Sequence, residues 1–113
     1  MGERRKAKRY AIYLPLQVCV SRKSPREFFT AQLRDISRCG IYFHSSVDLE
    51  PGSPVELTFA LPAENASALS VLVRASAKAL RVTPLPGEDT PIYGVAATID
   101  RIDFVRPSIS HAA

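Results

Sequence analysis

Ala31-Gln32-Leu33-Arg34-Asp35-Ile36-Ser37-Arg38-Cys39-Gly40-Ile41-Tyr42-Phe43 reads as a strand, a polar turn and a second strand. Residues 31–34 can extend, and Ile41, Tyr42 and Phe43 form a β-favouring run. The junction sets an acceptor, a hydroxyl and a side-chain-free backbone on one bend: Asp35, Ser37 and Gly40. An ionised Asp accepts through both oxygens, and Ser donates or accepts. Gly40 allows a positive φ or lets a flat ligand approach the main chain. Two readings of this bend stand side by side. Asp35 and Ser37 can cap their own turn, as such residues commonly do, or they can face a ligand.

Outward from the bend, period-two alternation recurs along the chain. Ile12, Leu14, Leu16, Val18 and Val20 alternate with smaller or polar residues, which predicts a first strand with one apolar face. Pro15 cannot donate to a ladder, so this strand is expected to be an edge or to carry a bulge. Residues 21–27 are polar and predict a peripheral loop. Residues 28–35 make the second strand and 40–45 the third. Glu50-Pro51-Gly52-Ser53 predicts a type II turn. Val55, Leu57, Phe59 and Leu61 then alternate as a fourth strand. Residues 62–68 read as a loop with room for one helical turn. The fifth strand starts near Leu69, passes Ala77 and has room to reach Val82. Three prolines and Gly87 mark 84–91 as a loop or wide hairpin end. Tyr93, Val95, Ala97 and Ile99 make the sixth strand, with Ile102 and Phe104 as further candidates for burial. Pro107 discourages a long helix after them. Six short antiparallel strands favour a sandwich or a small closed barrel, and closure removes exposed edges. The fold class is therefore all-β. The expected layout is a basic arm over 1–9, one barrel domain over 10–104 and a tail over 105–113 with little or no helix.

The chain has 113 residues, 46% of them hydrophobic and 23% charged, enough for one modest core. No apolar run approaches the roughly 20 residues of a membrane span. The N-terminus lacks the apolar segment of a secretory signal, so the expected compartment is the cytoplasm. Net charge is +4, and Arg4, Arg5, Lys6, Lys8 and Arg9 account for it. A local basic arm suggests an anionic partner that meets the N-terminus. Cys19 and Cys39 read as free thiols, and with His44 and His111 they match no metal-ligand spacing, so no metal is expected.

Arg5 and Arg9 form an Arg-x-x-x-Arg pair ahead of the first strand, and Asp35-x-Ser37-x-x-Gly40 closes the second. If those strands pair antiparallel, arm and bend converge at one end of the domain. Together with the six-strand pattern, the Pro-Gly turn and the Tyr93-Gly94-Val95 opening of the last strand, they resemble the PilZ domain. That family comprises bacterial receptors for the dinucleotide second messenger cyclic di-GMP. The likeness covers about residues 4–104. It implies a six-stranded antiparallel barrel, usually with a helix nearby, and a ligand held by the arginine pair and the bend.

By this resemblance Arg5 and Arg9 contact phosphate and guanine, and Asp35, Ser37 and Gly40 complete the site. Arg4 and Arg38 match no fixed position and are accessory candidates. Lys6 and Lys8 supply field. The chemistry agrees: guanidinium forks match phosphate and the O6/N7 edge of guanine, and a carboxylate accepts from guanine's N–H groups. No cofactor is implied beyond the ligand cyclic di-GMP. The like-charged arm is expected to be loose alone and to fold over the ligand. With no second domain in view, the output is expected to pass to a separate protein partner or through a self-assembly surface.

Other functions fit less well. No Ser/His/Asp or Cys/His arrangement surrounds His44 or His111, so the chain is not expected to be an enzyme. A nucleic-acid-binding barrel would use aromatic platforms. Phe43, Phe59 and Tyr93 instead fall in strand patterns that core burial explains, so nucleic acid is not an expected partner. A further alternative is a PilZ-like adaptor that binds protein without the ligand.

Overall fold

The computed structural model describes residues 10–21, 26–61, 71–87 and 89–105. They form six strands: β1 (Tyr10–Val20), β2 (Glu27–Ile36), β3 (Gly40–Ser45), β4 (Pro54–Leu61), β5 (Val71–Leu85) and β6 (Ile92–Val105). The strands close into an antiparallel barrel in the order β1-β2-β3-β6-β5-β4. Of sandwich and barrel, the barrel is correct, because β1 also pairs with β4, from Gln17↔Thr58 to Val20↔Val55.

The alternating residues drive this closure. Leu16 and Val18 of β1, Leu33 of β2, Phe43 of β3, Leu57 of β4 and Val95 of β6 point inward and are fully buried. Each such side chain contributes about 1.5–3 kcal/mol by leaving water. Opposite them, Ala75, Ala77 and Ala79 of β5 and Ala97 of β6 make a small-residue wall. Small residues on that side give the large ones room to fill a narrow interior. Leu49, from the loop after β3, is also part of the core. Buried Ser45 accepts from Val47 N–H at 2.9 Å and donates to Val47 O at 2.8 Å, so its hydroxyl is satisfied.

The turn over residues 50–53 forms as expected. Gly52 has φ +92°, and Ser53 N–H donates to Glu50 O at 3.0 Å. Pro15 is accommodated by two irregularities. The β1–β2 register shifts between Ala11 and Leu14, and the β1–β4 ladder stops at Gln17, leaving Pro15 a flank where its missing N–H is not needed. Cys19 and Cys39 are free thiols.

Several boundaries differ from the sequence expectation. β5 runs to Leu85 and includes Pro84, which pairs with Tyr93. β4 accompanies β5 only as far as Lys78, so the strand tolerates proline further on. β6 continues to Val105, where Ile102 is half-buried against the core but Phe104 is 64% exposed. Tyr93 is likewise only half-buried. The expected loop 62–68 and tail 106–113 lie outside the described residues, as does most of the loop after β1.

Candidate functional site

The bend between β2 and β3 is a tight turn held by Ser37. Ser37 N–H donates to Gly40 O at 2.8 Å. Its Oγ accepts from Gly40 N–H at 3.1 Å and from Cys39 N–H at 3.2 Å. The hydroxyl therefore locks its own turn, the local reading of this residue. Gly40 does not take a positive φ; among the described residues only Gly52 and Gly87 do. Its bare Cα serves close packing instead: a Cβ there would meet Ala97 O of β6 at 3.2 Å. Ile99 N–H donates to Cys39 O at 3.0 Å, so the turn is docked onto β6. Arg38 and Cys39 stand exposed at its tip.

Asp35 lies one residue inside the end of β2, opposite Ala11 of β1 and Tyr42 of β3. Directly paired residues share a sheet face, so Asp35 faces the outside of the barrel with exposed Ala11 and half-buried Tyr42. The β2–β3 register shifts between Leu33 and Asp35, which makes Arg34 an extra residue relative to β3. Such irregularities re-aim side chains next to functional sites. Here the Arg34 guanidinium lies 4.6 Å from the centre of the Tyr13 ring, a cation–π contact. Tyr42 and His44 meet edge to face with centroids 5.5 Å apart. Burial, and secondarily the Arg34 charge, hold the His44 pKa below its ordinary 6.5. From Arg34 and His44 an open groove of about 640 Å³ runs along the outer wall to Leu85, Pro86 and Ile92.

Tyr10, the first residue of β1, stands opposite Ile36. β1 thus begins beside the 35–40 bend. A PilZ domain family model matches residues 3–100, nearly the whole chain.

The chain belongs to the PilZ domain family. The structure of the Bacillus subtilis inhibitor of motility (MotI/DgrA) is similar in fold, with a TM-score of 0.69 at 18% identity. The match covers 89% of this PilZ domain and 44% of that chain, so the domain spans less than half of its neighbour's length. A search of curated proteins finds no match. Of the site residues expected from sequence, Asp35, Ser37 and Gly40 are brought together at one barrel mouth, with Arg38 beside them. Arg4, Arg5 and Arg9 lie outside the described residues. Arg34 with Tyr13, and Tyr42 with His44, were not anticipated as parts of this face: a register irregularity, invisible in the alternation, makes Arg34 an extra residue next to Asp35, which pairs with Tyr42. No group of three or more His, Cys, Asp or Glu placed to hold a metal occurs among the described residues. No described helix is long and apolar enough to cross a membrane.

Proposed function

We propose that this PilZ domain is a cyclic di-GMP receptor that relays the signal to a separate protein. The observation that carries the reading is the position of Tyr10, opposite Ile36 and one pair away from Asp35. Arg9 is bonded to Tyr10, and consecutive Cα atoms lie about 3.8 Å apart. In this reading the Arg-x-x-x-Arg arm, joined to Tyr10 through Arg9, meets the Asp35 face. In this reading Arg5 and Arg9 fork onto phosphate oxygens and the guanine O6/N7 edge. Asp35 accepts from guanine N–H groups. Ser37 and Gly40 keep the bend in shape, and Arg38 adds charge at the rim. Arg34, already stacked on Tyr13, offers a further flat cation on the same face.

Ligand binding draws the basic arm over the site. Ordering it costs about 1–2 kcal/mol per residue in backbone entropy, which two phosphates and two guanines must offset. The ordered arm then presents a new surface to the partner.

Calorimetric titration with cyclic di-GMP, GMP and a short oligonucleotide tests the reading. Saturable binding of the cyclic dinucleotide is expected, weakened at least about ten-fold in Asp35→Ala and in Arg9→Ala, the usual scale for a lost charge-assisted hydrogen bond. A domain that ignores the dinucleotide, or variants that bind as wild type, would overturn it. Oligonucleotide binding that falls steeply with salt would indicate a nucleic-acid protein instead.

A further inference from the structure

β6 outruns its neighbour β3. The β3–β6 ladder ends at Gly40↔Thr98, with one more bond from Ile99 N–H to Cys39 O. On the other flank β5 stays with β6 out to Leu72↔Val105. Among the described residues, 100–105 therefore keep one backbone flank without a strand partner. Such edges are ordinarily blunted by charged side chains, lysine above all, by proline or by a bulge. This one, Asp100-Arg101-Ile102-Asp103-Phe104-Val105, has neither lysine nor proline, and its charges alternate.

The pattern is complementary to itself. Arg101 and Asp103 share the outer face, opposite Ser76 and Arg74 of β5. Their side chains are 73% and 59% exposed and 3.6 Å apart at Nε and Oδ2. Antiparallel pairing with a second copy about Ile102 sets each Arg101 directly across from an Asp103, twice over. Cross-strand neighbours of opposite charge favour pairing, and like charges there oppose it. Each arginine is then flanked by a carboxylate along its own strand and another across the join. On the inner face Ile102 meets its own copy. Phe104, exposed in the single chain, comes within diagonal reach of the other Ile102. Cys39 sits against Ile99 and limits the join to residues 100–104.

We propose that the overhanging edge of β6 is a self-association surface, taking a second copy of this chain by antiparallel strand addition about Ile102. A foreign strand would need the same charge spacing by coincidence, whereas a second copy supplies it by symmetry. The inference does not rest on the ligand reading, and its test needs no ligand. The join is short, so the association is concentration dependent.

Sedimentation equilibrium of the full chain over a concentration series reads the association directly. Wild type is expected to form dimers. Arg101→Asp and Asp103→Arg, each placing like charges across the join twice, are expected to weaken dimerisation at least ten-fold. Both positions are exposed, so the variants keep the fold, which circular dichroism checks. Asp103→Arg also sets two arginines side by side on β5 and β6, so the decisive sample is an equimolar mixture of the two variants. In that mixture every cross-strand pair is again opposite in charge, and heterodimers are expected to return to wild-type affinity. A wild type that stays monomeric throughout, single variants that dimerise as wild type, or a mixture that does not recover would each overturn the proposal. Recovery of affinity in the mixture would also exclude a β6 flank occupied instead by another segment of the chain or by an unrelated protein strand.

Discussion

Gly94 shows how a single position can be set by a side chain on another strand. It lies on β6 opposite His44, and the Tyr42 ring lies over it. A Cβ built on Gly94 collides with the Tyr42 hydroxyl and contacts the ring at Cζ, 3.0 Å away. An aromatic covering a strand glycine restores the packing that glycine lacks. Gly94→Ala is expected to lower stability by about 1–3 kcal/mol, the usual cost of an overpacked site. In Tyr42→Ala, which removes the obstacle, the same change is expected to cost far less. Urea unfolding of the four proteins in this double-mutant cycle measures the coupling.

At the scale of elements, the bend between β2 and β3 owes its shape to one hydroxyl. Ser37→Ala strips the acceptor from the Cys39 and Gly40 amides. A loss of about 1 kcal/mol is expected, the net worth of such hydrogen bonds, together with faster amide exchange at Cys39 and Gly40. Amide exchange followed by NMR checks both residues.

The element scale is also where the sequence was most readable. Alternation in residues 12–20, 55–61 and 93–99 located three strands directly, and the 35–40 bend separated two more. What alternation does not carry is pairing. Pro84 reads as a loop residue because its tolerance depends on β4 having already left β5, a fact of topology. Phe104 reads as core because its spacing continues the strand, yet β3 no longer flanks β6 where it lies. For the candidate site, the chain order supplied Asp35, Ser37 and Gly40. The contact of Arg34 with Tyr13 lies at register shifts in β1 and β2 that no local signal announces. Of the two readings of Gly40, the positive φ is not taken; its bare Cα serves a close approach to Ala97 O, a contact 57 residues away in the chain that only the closed barrel creates.

For the molecule as a whole, the outer-wall histidine makes stability depend on pH. Burial and the Arg34 charge keep the folded-state pKa of His44 below 6.5. The unfolded chain therefore takes up this proton first as pH falls. The His44 contribution is complete above pH 6.5 and is lost as pH drops from there through the folded value. Thermal melts from about pH 8 to about pH 5 are expected to show a melting temperature that declines more in wild type than in His44→Gln. The difference between the two curves isolates this group from the carboxylates, which titrate in both proteins.

The wall of the cylinder is not uniformly stitched. Among the described residues, β1 joins β4 through four residue pairs, while β5 joins β6 through thirteen. β2 and β3 also share four pairs, but the 35–40 bend ties those strands together, so breathing motions should part the cylinder first along the join of β1 with β4, which no turn closes. A load applied through Tyr10 bears on the same strand. Pulled from its amino end, the domain is built to unroll from this line into an open sheet before any other ladder yields.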